Sequence, residues 1–149
     1  MNTDACPEFR KCTYVFALVD RKELRPHEQV DDARIAELSA EITSDGVLRY
    51  PVIVDKGSMV ILDGHHRVTV LTKLGCTFIP AYLVDYCNDG IQVASWRGSP
   101  SIAGISEITK ETVVLAGLTG HLFSPKTSRH IWPWPPKAYP MPVNLLRKL

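Results

Sequence analysis

The run from Ile61 to Gly75, ILDGHHRVTVLTKLG, constrains the fold more than any other part of the chain. A short apolar stretch reaches Asp63 and Gly64, after which Val68, Leu71 and Leu74 recur at the spacing of a helical stripe and Gly75 offers a left-handed stop. This is a strand passing into a helix of about three turns through one glycine. The start of such a helix presents unpaired N–H groups and the positive end of its dipole, which together attract an anion. Gly64 carries no side chain to hold a phosphate away from the backbone, Arg67 offers a bidentate permanent charge, and His65 and His66 add donors. Asp63 would repel a phosphate unless a divalent cation lay between them, a place suited to Mg²⁺. The plainer alternative makes Asp63 a helix cap and the histidines surface residues. Neighbouring helical positions diverge by about 100°, so His65 and His66 are poorly placed to share one metal ion.

The flanking sequence supplies further elements. TYVFALV, residues 13–19, reads as a strand buried on both faces, and Pro26 then forces a turn from which Arg25, His27 and Glu28 project. Asp31 can cap a helix carrying Ile35, Leu38 and Ile42, with Val30 stapled to Ile35 and Gly46 ending it. YPVIVD and MVIL read as strands joined by a turn at Lys56-Gly57, and TFIPAYLVDY and IQVASW as two more. Thr109 can cap a helix running to Leu118, with Ile108 and Val113 as its staple. Beyond Gly120, Pro125, Pro133, Pro135, Pro136, Pro140 and Pro142 oppose continuous helix or central strand, which predicts an extended strap.

With 149 residues, 45% apolar and 22% charged, one domain spanning residues 1–149 is expected. No apolar run approaches the roughly 20 residues of a membrane span, and the first residues lack the order of a secretory signal, so the chain reads as cytoplasmic with no membrane partner. A net charge of +1 gives no footprint for nucleic acid. Glu111 is the last acidic residue, and the basic segment after it is either a solvated tail or a strap over an anionic ligand. Within it, SPKTSRH alternates hydroxyls with Lys126, Arg129 and His130, a mixture suited to carboxylate or phosphate, or to a soluble loop. Cys6, Cys12, Cys76 and Cys87 form no Cys-x-x-Cys pair and read as small, partly buried thiols, with a disulfide open as an alternative.

Taken in order, RPHE, DGVLRYPVIVD, LDGHHRVTVLTKLG, YLVDY, ITKETV and LFSPKTSRH resemble the ParB/sulfiredoxin-like superfamily, and within it the archaeal free serine kinases. The resemblance covers nearly the whole chain. It implies transfer of a phosphoryl group from ADP or ATP, with Mg²⁺, to the hydroxyl of free L-serine, giving O-phospho-L-serine for cysteine biosynthesis. It further implies small-molecule substrates and a monomer or small homo-oligomer. By position, Glu28 matches the glutamate acting as general base, and Asp63, Gly64, His65, His66 and Arg67 match the box holding phosphates and magnesium, Asp63 toward the metal. His65 and Arg67 would also stabilise charge during transfer. Trp96 and the segment Lys126, Thr127, Ser128, Arg129 and His130 match the surroundings of the substrate, although a tryptophan such as Trp96 is more often a core residue.

The expected architecture is therefore α/β (α+β): a ParB/sulfiredoxin-like domain with a small mixed sheet, flanking helices and a proline-rich C-terminal strap over the cleft. A sulfiredoxin needs a cysteine where this chain has His65, and a ParB partition protein needs a helix-turn-helix after the box, which the proline-rich tail does not offer. The remaining alternative is a nucleotide-binding regulator that does no chemistry.

Overall fold

The computed structural model describes residues 14–95, 108–125 and 127–147. Its centre is a four-stranded mixed sheet built from β1 (Tyr14–Asp20), β3 (Val52–Asp55), β4 (Ile61–Asp63) and β5 (Phe78–Val84), in the order β1-β5-β3-β4. β5 runs antiparallel to β1 and parallel to β3, and β3 pairs antiparallel with β4. A strand flanked on both sides inside a covered sheet must be apolar at every position. β3 meets this demand up to its last residue, with Val52, Ile53 and Val54 all at most 1% exposed and the buried Asp55 carboxylate satisfied by hydrogen bonds.

Alternation along β3 divides the interior into two layers. Val52 and Val54 face a cluster with Ile35, Leu38 and Ile42 of α1 (Asp32–Asp45) and Val70 and Leu71 of α2 (His65–Lys73). Ile53 faces the opposite cluster, with Tyr82, Val84 and Val113, the last from α3 (Lys110–Thr119). The helices begin and end where the caps direct. The Asp31 carboxylate accepts from Ala33 N–H at 3.1 Å, the Thr109 hydroxyl accepts from Thr112 N–H at 3.1 Å, and Gly46 and Gly120 close α1 and α3 with φ of 73° and 80°.

Three expectations need correction. β1 is an edge strand, so Val15 and Leu18 lie 53% and 43% exposed instead of buried on both faces. The β3–β4 connection is wider than a Lys56-Gly57 turn. The Asp55 carboxylate accepts from Gly57 N–H, Ser58 N–H and the Ser58 hydroxyl, and this organises the loop and delays β4 to Ile61.

The strap, thirdly, is not simply extended. Ser128–Ile131 forms β7, paired antiparallel with β6 (Gln92–Ser95), and Met141–Pro142 forms β8 against β2 (Val47–Leu48). A last turn, α4 (Val143–Leu146), buries Val143 and Leu146 in the first core layer. Pro133, Pro135, Pro136 and Pro140 fall between these pieces, while Pro142 ends the two-residue β8 opposite Val47, an edge position that tolerates a missing N–H. Among the described residues no helix is long and apolar enough to cross a membrane.

Candidate active site

The sheet delivers β4 to the edge of a cleft of about 380 Å³, where Asp63, Gly64, His65, His66 and Arg67 meet Glu28 and, from β7, Ser128, Arg129 and His130. Gly64 is the N-cap residue of α2, with φ of 109°, and no side chain among the described residues caps the helix there. Its lack of a side chain has a second cause besides room for a ligand. A Cβ at Gly64 would lie 2.6 Å from Cγ1 of Val52, so the helix start is pressed onto the central strand.

The side chains around this start have separate duties. His66 Nε2 accepts the backbone N–H of Asp31 at 3.0 Å, which ties α2 to the cap of α1. His65 Nε2 accepts the backbone N–H of His27 at 3.1 Å, so in the neutral ring its proton sits on Nδ1. The Arg67 guanidinium donates to the Tyr50 and Pro51 carbonyls at 2.8 and 3.0 Å and reaches the half-exposed Asp63 carboxylate at 3.4 Å. It holds the approach to β3 while bordering the cleft.

Glu28 comes from the turn after Pro26. That turn is clasped to Phe123 by two backbone bonds, Gln29 N–H to the Phe123 carbonyl and Phe123 N–H to the His27 carbonyl, each 2.8 Å. The Glu28 carboxylate is largely buried and accepts from the Ser128 N–H at 2.7 Å and the Ser128 hydroxyl at 2.6 Å. Residues 100 apart in sequence thus share one carboxylate oxygen.

The imidazoles of His27, His65 and His130 are not cations at neutral pH. Burial pushes His27 down to about 4 against the opposing pull of the Ile61 carbonyl. Burial, followed by the charges of His27 and Lys110, takes His130 to about 3. His65 lies well below its ordinary value, first through burial and then through its neighbours His27, His66, His130 and Arg67. The histidines therefore offer directed hydrogen bonds. Positive charge at the cleft comes from Arg67, Arg129 and, from α1, Arg34.

Two expected residues, Trp96 and Lys126, lie outside the described residues. Thr127 is buried, bonded to Ser124, and does not line the cleft. Three participants had no clear signal in the sequence. Arg34 sits on the exposed side of a helix recognised by its apolar face, and His27 was one member of a charged turn. Trp132 stacks on His130 with ring centroids 5.3 Å apart, but its place was hidden within the proline-rich segment.

One carboxylate, Asp63, adjoins the helix start, and among the described residues no group of three or more His, Cys, Asp or Glu is gathered for a metal. That donor set suits Mg²⁺ arriving with a phosphate, which the protein holds through one or two carboxylates, rather than an ion caged by protein alone. A second cavity of about 480 Å³, lined by Ile42, Val47, Tyr50, Pro51, Ile53 and Pro136 among others, adjoins the first and shares Arg34, Leu38, Asp63 and Arg67 with it. Cys76 is buried and Cys87 exposed, both as free thiols, while Cys6 and Cys12 lie outside the described residues.

Comparison with known proteins places this geometry in context. A family model described as the ParB N-terminal domain matches residues 15–95. A ParB-like protein of Sulfolobus acidocaldarius is 42% identical over 84 residues, covering 56% of this chain and 42% of that protein. An ATP-dependent L-serine kinase of Staphylothermus marinus is 32% identical over 105 residues, covering 64% of this chain and 41% of that protein. The chain thus spans about two fifths of the length of the curated relatives it matches. A solved free serine kinase carrying a glutamate-to-alanine substitution, in complex with AMP, superposes with a TM-score of 0.78 at 19% identity, over 89% of this chain and 93% of that one. The likeness to that structure establishes a shared fold.

Proposed function

The chain belongs to the ParB N-terminal domain family, and from that premise we propose that it is a kinase moving the terminal phosphoryl group of ADP or ATP onto the hydroxyl of free L-serine. The observation that carries this reading is that the Glu28 carboxylate and the uncapped start of α2 border one cleft. A phosphoryl group at the backbone N–H groups of α2 and an alcohol beside Glu28 then approach each other across that space. The similarity to a protein named as an L-serine kinase supports the choice of acceptor.

Each residue has a physical task on this reading. The apolar walls of the adjoining cavity receive the nucleoside, and Arg34 and Arg67, shared by both cavities, steer its phosphates toward α2. Phosphoryl transfer passes through a loose transition state, so alignment and charge stabilisation supply most of the acceleration. Glu28 takes the serine proton as the bond to phosphorus forms. His65, neutral and fixed by His27, holds its Nδ1–H as a donor without adding charge. Trp132 walls one side against water, which competes with serine for the phosphoryl group. Asp63 would hold Mg²⁺ arriving with the nucleotide, and the ion would supply neutralisation of phosphate charge.

Incubating the protein with Mg²⁺, labelled ADP or ATP and a panel of free amino acids tests the assignment. The expected product is phosphoserine, lost in Glu28→Gln while nucleotide affinity is retained. No phosphorylated amino acid with either donor would leave a nucleotide-binding regulator as the reading.

A further inference from the structure

Glu28 is joined to a second proton-bearing chain that leads away from the cleft. Its Oε2 lies 2.6 Å from the Ser128 hydroxyl, and that hydroxyl lies 2.8 Å from Nε2 of the fully buried His27. The far side of the imidazole is fixed, because a carbonyl oxygen only accepts. The 2.7 Å contact between His27 Nδ1 and the Ile61 carbonyl therefore requires the proton on Nδ1. In the neutral ring Nε2 is a bare acceptor.

Ser128 then has one hydrogen for two acceptors. With Glu28 ionised, that hydrogen serves either the carboxylate or Nε2, and the other short contact sets lone pair against lone pair. A proton on Glu28 removes the conflict. The carboxyl O–H donates to Ser128 Oγ, and the Ser128 hydrogen turns to His27 Nε2.

We propose that Ser128 and His27 are positioning residues for the base: as Glu28 takes the proton of the substrate alcohol, the Ser128 hydroxyl swings its hydrogen to His27 Nε2, giving the protonated carboxyl a hydrogen bond network that the carboxylate lacks. The proton travels only from the alcohol to Glu28, the carboxyl group turns about Cγ–Cδ to bring the protonated oxygen to Ser128 Oγ, and Ser128 rotates without breaking a covalent bond. This rests on the kinase reading and on Glu28 as its base. Among the described residues, the other titratable groups named around the network do not compete for that hydrogen. His65 of α2 packs edge-on against His27 with centroids 4.6 Å apart but accepts from the His27 N–H, and His130 of β7, at 6.2 Å, is bonded to the Tyr86 hydroxyl. Asp63, Arg34, Arg67 and Arg129 stand on the cleft side, in front of Glu28.

The test is the pH profile of kcat/KM for phosphoserine formation in the wild type, His27→Asn, Ser128→Ala, Ser128→Thr and the His27→Asn/Ser128→Ala pair. Asparagine keeps a donor near the Nδ1 position and removes Nε2, so the protonated carboxyl alone loses support. The acid limb should move about one pH unit lower in His27→Asn, the effect of one ordinary hydrogen bond, and the same change should move nothing once Ser128 is alanine. Ser128→Ala should lower kcat about tenfold with nucleotide affinity unchanged, and Ser128→Thr should restore it. An acid limb that His27→Asn leaves in place, moves upward, or moves equally with and without the Ser128 hydroxyl overturns the proposal. Should His27→Asn fail to fold, the Ser128 variants decide, since wild-type kcat in Ser128→Ala is incompatible with the network. A wild type that makes no phosphoserine removes the kinase reading itself and this proposal with it.

Discussion

Acidifying the protein from pH 7 to pH 5 should weaken it through His27 before most carboxylates titrate. In the unfolded chain an imidazole binds its proton near 6.5, whereas burial keeps His27 neutral down to about 4 in the fold. The unfolded state therefore holds more protons across that window. The stabilisation is fully present above 6.5 and is lost as pH falls toward 4. At ~1.36 kcal/mol per pH unit the whole difference is worth about 3 kcal/mol, of which about 2 kcal/mol disappears between pH 7 and pH 5. The Glu28 carboxylate, 3.8 Å from Nε2, favours the charged ring, but burial is the larger influence on a side chain with 0% exposure. Urea unfolding at half-unit pH intervals reads the effect, with His27→Asn as the reference that removes the titrating group and leaves every other one in place. The wild type should lose about 2 kcal/mol more than His27→Asn over those two pH units. Parallel stability curves for the two proteins would refute the reasoning.

Other expectations follow from single contacts. Gly64→Ala combines a positive φ with a Cβ 2.6 Å from Val52 Cγ1, so urea unfolding should show a loss of about 2–5 kcal/mol. Arg67→Ala frees the Tyr50 and Pro51 carbonyls and removes a cation from both cavities, so calorimetry should show nucleotide affinity falling at least about tenfold, and unchanged affinity would exclude Arg67 from the phosphate site. Thr109→Ala removes the capping box of α3 and should cost about 1 kcal/mol in thermal or urea unfolding without altering nucleotide binding.

The helices were legible because their signals are local. Asp31, Thr109, Gly46, Gly75 and Gly120 act on backbone groups a few residues away, and the caps and stops fall where those residues stand. What a strand faces is not local information. The run at β1 is as apolar as a central strand, and only the pairing order leaves Val15 and Leu18 against solvent. The loop after β3 escaped because a buried carboxylate, Asp55, overrode the Lys56-Gly57 turn by accepting from Ser58 and from Tyr86 N–H.

At the site, the passage from strand to helix through Gly64 was readable, and so was the turn that carries the Glu28 carboxylate. The union of Glu28 with Ser128 was not readable. It depends on β7 pairing with β6 and on Phe123 clasping the turn, contacts between segments distant in sequence. The charge state of the histidines was hidden for a related reason. A sequence shows histidines, while the burial of His27, His65 and His130 is what keeps those three neutral. Arg34 entered the cleft from the polar side of α1, where helical periodicity carries no signal.

The central claim, that a nucleotide's terminal phosphate sits at the start of α2 opposite Glu28, is tested most directly by comparing backbone amide resonances during titration with AMP and with ADP. Subtracting the AMP response isolates the added phosphate. The amides of His65, His66 and Arg67 should shift further with ADP than with AMP, and more than those of α3, which lies on the opposite face of the sheet. An ADP-specific response that leaves these three amides unmoved while perturbing another part of the chain would contradict the account.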